Sequence, residues 1–292
     1  MMSSNARQLL IVLHPNRPEA KDVARDIVSK LKDRNFNFYC VTAADIPGVE
    51  QISREWLTNN LENFELALVL GGDGTILRGA EMVHGSKVPV LGINLGHVGF
   101  LAQIGRPSID EIATAINEKS YTLEKRMTLS YQVLRENSLV AQGWALNEIT
   151  VERNTEAMME LFVQVDHRPL SRWGCDGVIC ATPTGSTAYA FSAGGPVVWP
   201  DVEALVLLPL AAHALFSDPM VISPKSEIAI DVESDEGALS ADGLRKFHLL
   251  EKDRVVITSE KSFINLAHME AAAFTDRLVA KFKLPVDGWR GE

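Results

Sequence analysis

Near Leu123 the spacing of apolar residues changes period, and that change limits the fold more than any single motif does. Upstream, strand-like runs alternate with helix-period segments. "LLIVLHP" predicts a strand, and "PEAKDVARDIVSKLKDR" sets Ala20, Val23, Ala24, Ile27 and Leu31 on one helical face. The rhythm continues through "FNFYCVT", a helix around Ser53 to Leu61, "LALVL", a helix from Thr75, "VPVLGIN", and a helix opened by Ser108 with Asp110 and Glu111 in its first turn. Repeated strand–helix–strand units of this kind build a parallel, Rossmann-like sheet with helices on both faces. Downstream, "TLSYQVLRE", "GWALNEITVER", "MELFVQVDH", "GVICATP", "EIAIDVE", "RVVITSE" and "FINLAH" are short and often alternating, with turn residues between them. They predict a mainly β domain. "FTDRLVAKFKL" then returns to helical spacing, with Phe274, Leu278 and Phe282 in register. The expected division is an α/β domain over 1–123, a mainly β domain over 124–269, and a C-terminal helix and tail over 270–292 that packs back on the first domain. A close interface between the two domains is expected, and small-ligand sites favour such clefts.

The totals narrow the function classes. A chain of 292 residues with 46% hydrophobic content can fill two cores. Its formal net charge of -10 argues against nucleic acid or an anionic membrane as partner, since both demand clustered Lys and Arg. The run Leu9 to Leu13 is too short for a signal-peptide core, and Val202 to Phe216 is broken by Glu203, Pro209 and His213, so a cytoplasmic location is expected. The three cysteines, Cys40, Cys175 and Cys180, have no C-x-x-C spacing, so neither disulfides nor a structural zinc site is expected.

Three clusters carry chemistry. In "ELALVLGGDGTILRGA" the buried run Leu66 to Leu70 leads through Gly71 to Gly74 into a helix, a turn that aims backbone N–H groups at anions. Asp73 sits inside it. A carboxylate there repels a bare phosphate, so it is either helix punctuation or a handler of a metal ion or a proton. Neither G-x-G-x-x-G nor the P-loop pattern occurs at this turn, and protein-kinase signatures are missing. The second cluster, "CDGVICATPTGSTAYAFSAGGP", gathers the hydroxyls of Thr182, Thr184, Ser186, Thr187 and Ser192 around glycines, which suits ribose and phosphate and equally suits a polar loop. The third is Asn147 with Glu148 after the apolar "GWAL", an amide and a carboxylate side by side that can grip both hydroxyls of a ribose.

Together "GGDGT" (71–75), "GINLGHVGFL" (92–101), "NE" (147–148) and "DGVICATPTGSTAYAFSAGGP" (176–196) resemble the NAD kinase family in order and spacing, over roughly residues 66 to 285. Gly-Gly-Asp-Gly alone is shared with phosphofructokinases and with lipid kinases related to diacylglycerol kinase, whereas the long "PTGSTAY" segment is specific. The resemblance implies transfer of the γ-phosphoryl of ATP, with Mg²⁺, to the 2′-hydroxyl of the adenosine ribose of NAD, giving NADP and ADP. It implies Asp73 as proton acceptor, Asp73 and Gly74 at the ribose and phosphates, and Arg78 near the NAD phosphates. It further implies Asn147 and Glu148 on ribose hydroxyls, Asp176 toward the nicotinamide, and Thr187, Ala188, Tyr189 and Ser192 along the dinucleotide pocket. A homodimer or homotetramer is implied as well, and polyphosphate replaces ATP as donor in some relatives. The alternatives are a noncatalytic dinucleotide sensor and another Gly-Gly-Asp-Gly kinase acting on a sugar phosphate or lipid.

The chain also departs from the pattern. Several relatives carry a bulky basic residue where Gly174 precedes Cys175 and Asp176, so a less crowded pocket that also accepts NADH is expected here. No protein metal-ligand set is expected, and His97 is taken to shape its glycine-rich loop. His213 reads as a core or hinge residue, Cys175 as a half-buried structural thiol, and Trp144, Trp173 and Trp199 as core or interface anchors.

Overall fold

The computed structural model describes residues 6–42, 45–96, 99–102, 107–234, 236–270 and 273–286. The chain divides into two compact units, Met1–Lys125 with Ile264–Glu292, and Arg126–Phe263.

The first unit is α/β. In chain order it holds β1 (Arg7–Leu13), α1 (Pro18–Leu31), β2 (Phe36–Cys40), β3 (Val49–Gln51), α2 (Arg54–Asn60), β4 (Phe64–Leu70), α3 (Asp73–Val83), β5 (Val90–Ile93) and α4 (Ile109–Glu118). The sheet order is β3–β2–β1–β4–β5 with every pair parallel, and Leu266 and Ala267 of the strand Arg254–His268 join β5 in the same sense. Strands of such a sheet are covered on both faces and read as unbroken apolar runs. Leu66 to Leu70 of β4 are accordingly all at 0% exposure. Helix α1 starts on Pro18, whose fixed φ suits a first turn, and it buries Ala20, Ala24, Ile27, Val28 and Leu31. Ser108 and Glu111 close a reciprocal capping box on α4. From β1 the chain builds outward through β2 and β3, then returns to the other side of β1 for β4 and β5. The order therefore reverses between β1 and β4, and α/β sheets bind ligands at the carboxyl ends of the strands flanking that point.

The helix Phe274–Phe282 belongs to this unit. Its Arg277 Nη1 donates to the carbonyls of Phe100 (2.7 Å) and Ala102 (3.1 Å), and Phe274 and Phe282 set their rings 6.0 and 5.7 Å from that of Phe100.

The second unit is mainly β. It contains β6 (Thr122–Arg135, entering from the first unit), β7 (Ser138–Ala145), β8 (Glu148–Arg153), β9 (Met159–Val165), β10 (Arg168–Cys175), β11 (Gly177–Ala181), the short α5 (Tyr189–Ser192), β12 (Leu205–Leu210), β13 (Met220–Ile222), β14 (Ile228–Val232), β15 (Gly237–Ala241), β16 (Arg245–Leu249) and β17 (Arg254–His268), followed in the first unit by α6 (Phe274–Phe282). One sheet runs β10–β9–β14–β17 with β6 and then β7 beyond β17; the other runs β13–β12–β11–β8–β15–β16, antiparallel throughout. Alternate residues of both sheets, among them Leu129, Tyr131, Ile149, Val151, Val163, Val178, Ile230 and Ile257, form one core, as the two-residue period dictates. The opposite face of β11 and β12 packs Ile179, Ala181, Val206 and Leu208 against Ala190 and Val198.

The α/β and β assignments agree with the sequence reading, and the differences have physical causes. "RVVITSE" and "FINLAH" form a single strand, β17, and "GWALNEITVER" splits into β7 and β8 at Leu146 and Asn147. Strand β12 was hidden by Pro209, which the sheet tolerates because β13 pairs only as far as Leu207 and β11 alone flanks the strand beyond. Among the described residues no helix is long and apolar enough to cross a membrane.

Candidate active site

In the first unit the Gly-Gly-Asp-Gly turn lies at the reversal of strand order. Gly71 N–H donates to Ile93 O (3.0 Å), and the first turn of α3 closes on Gly72 O through Thr75 and Ile76. Gly72 is the N-cap, and no side chain caps this helix. Asp73 is therefore not punctuation. Its carboxylate leaves the helix and accepts the backbone N–H groups of Phe100 (2.9 Å) and Leu101 (3.1 Å). Gly99 makes the approach possible, since a Cβ there would lie 2.1 Å from Asp73 Oδ1. Gly74 and Arg78 are exposed on the same helix.

In the same unit a cleft of about 580 Å³ opens between the loop after β1 and α3, which borders it with Arg78 and Met82. His14, Asn16, Arg17, Lys21, Thr42 and Arg78 supply its polar wall, Val41 and Met82 part of its apolar one. Three cations, Arg17, Lys21 and Arg78, line this one cleft in an acidic protein. That arrangement attracts phosphate.

In the second unit Glu148 begins β8, and Asn147 ends the turn before it, which is gripped on two sides. Asp242 accepts Leu146 N–H (2.9 Å) and Asn147 N–H (2.7 Å), and Arg245 binds Asp242 (2.7 Å) while lying 4.5 Å from the Trp144 ring centroid. On the other side Thr182 N–H donates to Asn147 O (2.8 Å) and Thr182 Oγ1 to Leu146 O (2.6 Å). Gly185 touches the same turn so closely that a Cβ would lie 2.0 Å from Asn147 O. The Pro183-to-Tyr189 segment is thus moulded onto the Asn-Glu turn.

Glu148 borders a pocket of about 450 Å³ with Glu152, Arg153, Tyr189, Ser240, Asp242 and Lys246. Burial, then the neighbouring Asp242 and Glu152 charges, push its carboxyl up to about 8 against the pull of a Tyr189 backbone hydrogen bond. Its Oε2 is buried with no hydrogen-bond partner among the described residues. The raised value favours the protonated carboxyl of Glu148, which can donate as well as accept.

The residues 9–121 match the model of the ATP-NAD kinase N-terminal domain, and residues 146–268 that of the C-terminal domain. This chain belongs to the NAD kinase family. It is 45% identical to NAD kinase 2 of Streptomyces avermitilis over 298 residues, covering 100% of this chain and 99% of that one. A crystal structure of an NAD kinase from Archaeoglobus fulgidus in complex with ATP superposes with a TM-score of 0.72 at 28% identity, covering 94% of this chain and 98% of that one. Yeast NADH kinase complexed with NADH gives a TM-score of 0.87 at 22% identity over 99% and 91%, a likeness of fold.

Within this NAD kinase fold the expected site residues fall into two groups, each inside one unit. Asp73, Gly74 and Arg78 share α3. Glu148 and Tyr189 line one pocket, where the Tyr189 hydroxyl donates to Glu152 (3.3 Å), and Asp176 pairs with the pocket's Arg153 (2.7 Å). Asn147 is buried behind Glu148; Thr187 and Ala188 are half-buried on the adjoining segment, outside the pocket lining, and Ser192 is exposed at the end of α5. Arg17, Lys21, Arg153 and Asp242 were not singled out in the sequence. Only Arg17 and Lys21 left a signal there, two cations just past the first strand of a βαβ unit.

Several bland readings are corrected by burial. Cys175 is fully rather than half buried, and desolvation pushes its thiol up to about 11. It is inert as a nucleophile. His213 is exposed and cannot be a core residue, its N–H donating to Gly174 O (2.9 Å). Trp173 and Trp144 are buried as expected, but Trp199 is 44% exposed and no core anchor. The space over Gly174 is covered by Met158, whose methyl would lie 2.8 Å from a Cβ. His97 lies outside the described residues.

Proposed function

We propose that this enzyme transfers the γ-phosphoryl group of ATP to the 2′-hydroxyl of the adenosine ribose of NAD, giving NADP and ADP, with Asp73 as the proton acceptor. The observation that carries the reading is the Asp73 carboxylate, turned away from its own helix and held by two N–H groups at the anion-binding end of α3. A site that only bound dinucleotide would gain nothing from a fixed carboxylate beside phosphates. In the proposed step the 2′-hydroxyl gives its proton to Asp73, its oxygen bonds to the γ-phosphorus, and ADP leaves with the electrons of the broken P–O bond. A positioned base supplies about 10²- to 10⁴-fold, and most of the remaining acceleration in phosphoryl transfer is alignment and charge neutralisation.

Arg78, with Arg17 and Lys21, would hold phosphates in the 580 Å³ cleft. Asn147 and Glu148 would hold ribose hydroxyls, Asp176 the nicotinamide end, and Thr187, Ala188, Tyr189 and Ser192 the dinucleotide wall. Among the described residues no cluster of three His, Cys, Asp or Glu side chains forms a metal cage. Mg²⁺ would be carried by the substrate phosphates, and the Asp73 carboxylate is a protein group that could meet it. When bound, the ion neutralises phosphate charge. The relative solved with ATP supports ATP as donor. Exposed Leu215, Phe216 and Val221 on the β unit would suit a homo-oligomer interface.

The test is NADP formation from NAD, ATP and Mg²⁺, read through a coupled dehydrogenase, with Asp73→Asn in parallel. A fall of about 10²- to 10⁴-fold in kcat with NAD binding retained is expected. Equal turnover by the variant would reject Asp73 as the base.

A further inference from the structure

Arg277 is 3% exposed, and a guanidinium is buried only where its donors are met. Its partners are informative. Nη1 donates to the carbonyls of Phe100 (2.7 Å) and Ala102 (3.1 Å), and Nη2 lies 3.0 Å from His268 Nδ1. Because Arg cannot accept, that ring nitrogen carries the lone pair, and His268 Nε2–H is left to donate to Glu124 Oε2 (2.9 Å). The histidine tautomer is therefore fixed, and the guanidinium is held from behind.

The carbonyl of Phe100 and the N–H of Leu101 belong to one peptide group. Arg277 bonds its oxygen; Asp73 Oδ1 accepts its hydrogen at 3.1 Å. A cation on the oxygen of an amide polarises the N–H at its other end, so the two hydrogen bonds strengthen each other. The neighbouring N–H of Phe100 serves Asp73 Oδ2 (2.9 Å), and the Phe100 ring is flanked by Phe274 and Phe282 of the same C-terminal helix. Every anchor of the segment 99–102 named here runs to α6 or to Asp73.

We propose that Arg277 is a positioning residue for the phosphoryl-transfer reaction, fixing the Asp73 carboxylate through the Phe100–Leu101 peptide. The proposal rests on Asp73 being the base. Arg277 touches no substrate, so its loss should lower kcat and leave binding intact, and its effect should vanish when Asp73 is no longer a carboxylate.

The experiment is a double-mutant cycle of Arg277→Met and Asp73→Asn in the full-length protein, with kcat and KM measured for NAD and ATP. Arg277→Met is expected to lower kcat by about 10- to 100-fold, the cost of slight misplacement at a reacting centre, with each KM within about threefold. Arg277→Lys keeps a charge that can reach one carbonyl, and should recover at least about fivefold of the loss. In the Asp73→Asn background Arg277→Met should cost less than about twofold more. Losses that multiply in the double variant, or a change confined to KM, would overturn the proposal. If Arg277→Met does not fold, Arg277→Gln, which keeps a hydrogen-bond donor and lacks the charge, enters the same cycle with the same criteria. Asp73→Asn at the wild-type rate removes the base reading and the proposal with it. Collapse of Asp73→Asn beside normal turnover of Arg277→Met removes the proposal alone.

Discussion

The two candidate regions, one in each unit, use carboxylates in opposite ways. In the α/β unit, Asp73 is partly exposed and is met by two backbone N–H groups, on the helix whose Arg78 lines a cleft with Arg17 and Lys21. In the β unit, Glu148 and Asp242 are buried together, and burial raises the pKa of both. The first arrangement suits a charged group that takes up a proton among phosphates. The second favours Glu148 as an uncharged hydrogen-bonding group for hydroxyls, with Asp242 engaged by Arg245 and by the Leu146 and Asn147 N–H groups. Sequence alone shows two acidic residues beside polar turns; only their surroundings separate a carboxylate met by backbone N–H groups from one whose pKa burial raises.

The contrast can be broken at its buried end first. Glu148→Gln should be stabilising at pH 8 by roughly 2–5 kcal/mol. The sign follows from the raised folded-state value: the contribution of Glu148 is fully present below about pH 4.5 and is lost as pH rises through about 8. Thermal unfolding between pH 5 and 9 should thus show a flatter profile for the glutamine variant. An unchanged profile would mean that Glu148 is charged in the native state. Next in size, Gly185→Ala forces a methyl into the Asn147 carbonyl, and should raise the KM for NAD about 30-fold while sparing the Asp73 turn of the other unit. Normal NAD affinity in that variant would show that the Asn-Glu turn does not depend on this close approach. The smallest effect belongs to the exposed cation: Arg78→Ala should raise KM about tenfold with kcat within about threefold, the loss of one charge-assisted contact made equally in ground and transition states. A fall in kcat instead would move Arg78 from binding to catalysis.

The fold was legible wherever one element carried its own period. Leu66 to Leu70 and the Ser108 capping box needed no tertiary knowledge, and both elements are as expected. Motifs contiguous in sequence, such as Gly-Gly-Asp-Gly, were equally plain. What escaped depends on partners far along the chain. Asp242 supports a turn 95 residues away, and Arg277 reads as a polar position on an amphipathic helix until Phe100 and Ala102 are seen against it. Pro209 concealed a strand because pairing of its neighbour, not propensity, makes it tolerable. Exposure was misjudged for His213 and Trp199 for a related reason, since residue type predicts burial only on average.

The α/β unit is discontinuous: residues 126–263 are inserted between Lys125 and Ile264. A ribosome finishes β1 to β5 long before it reaches the strand that pairs with β5 through Leu266 and Ala267, or the helix that meets Phe100. At about 5–20 residues per second, the nascent first unit waits many seconds with one parallel edge unpaired. Such edges invite mispairing. Synthesis therefore leaves the segment that holds Asp73 without its α6 anchors until Phe274–Phe282 has been made.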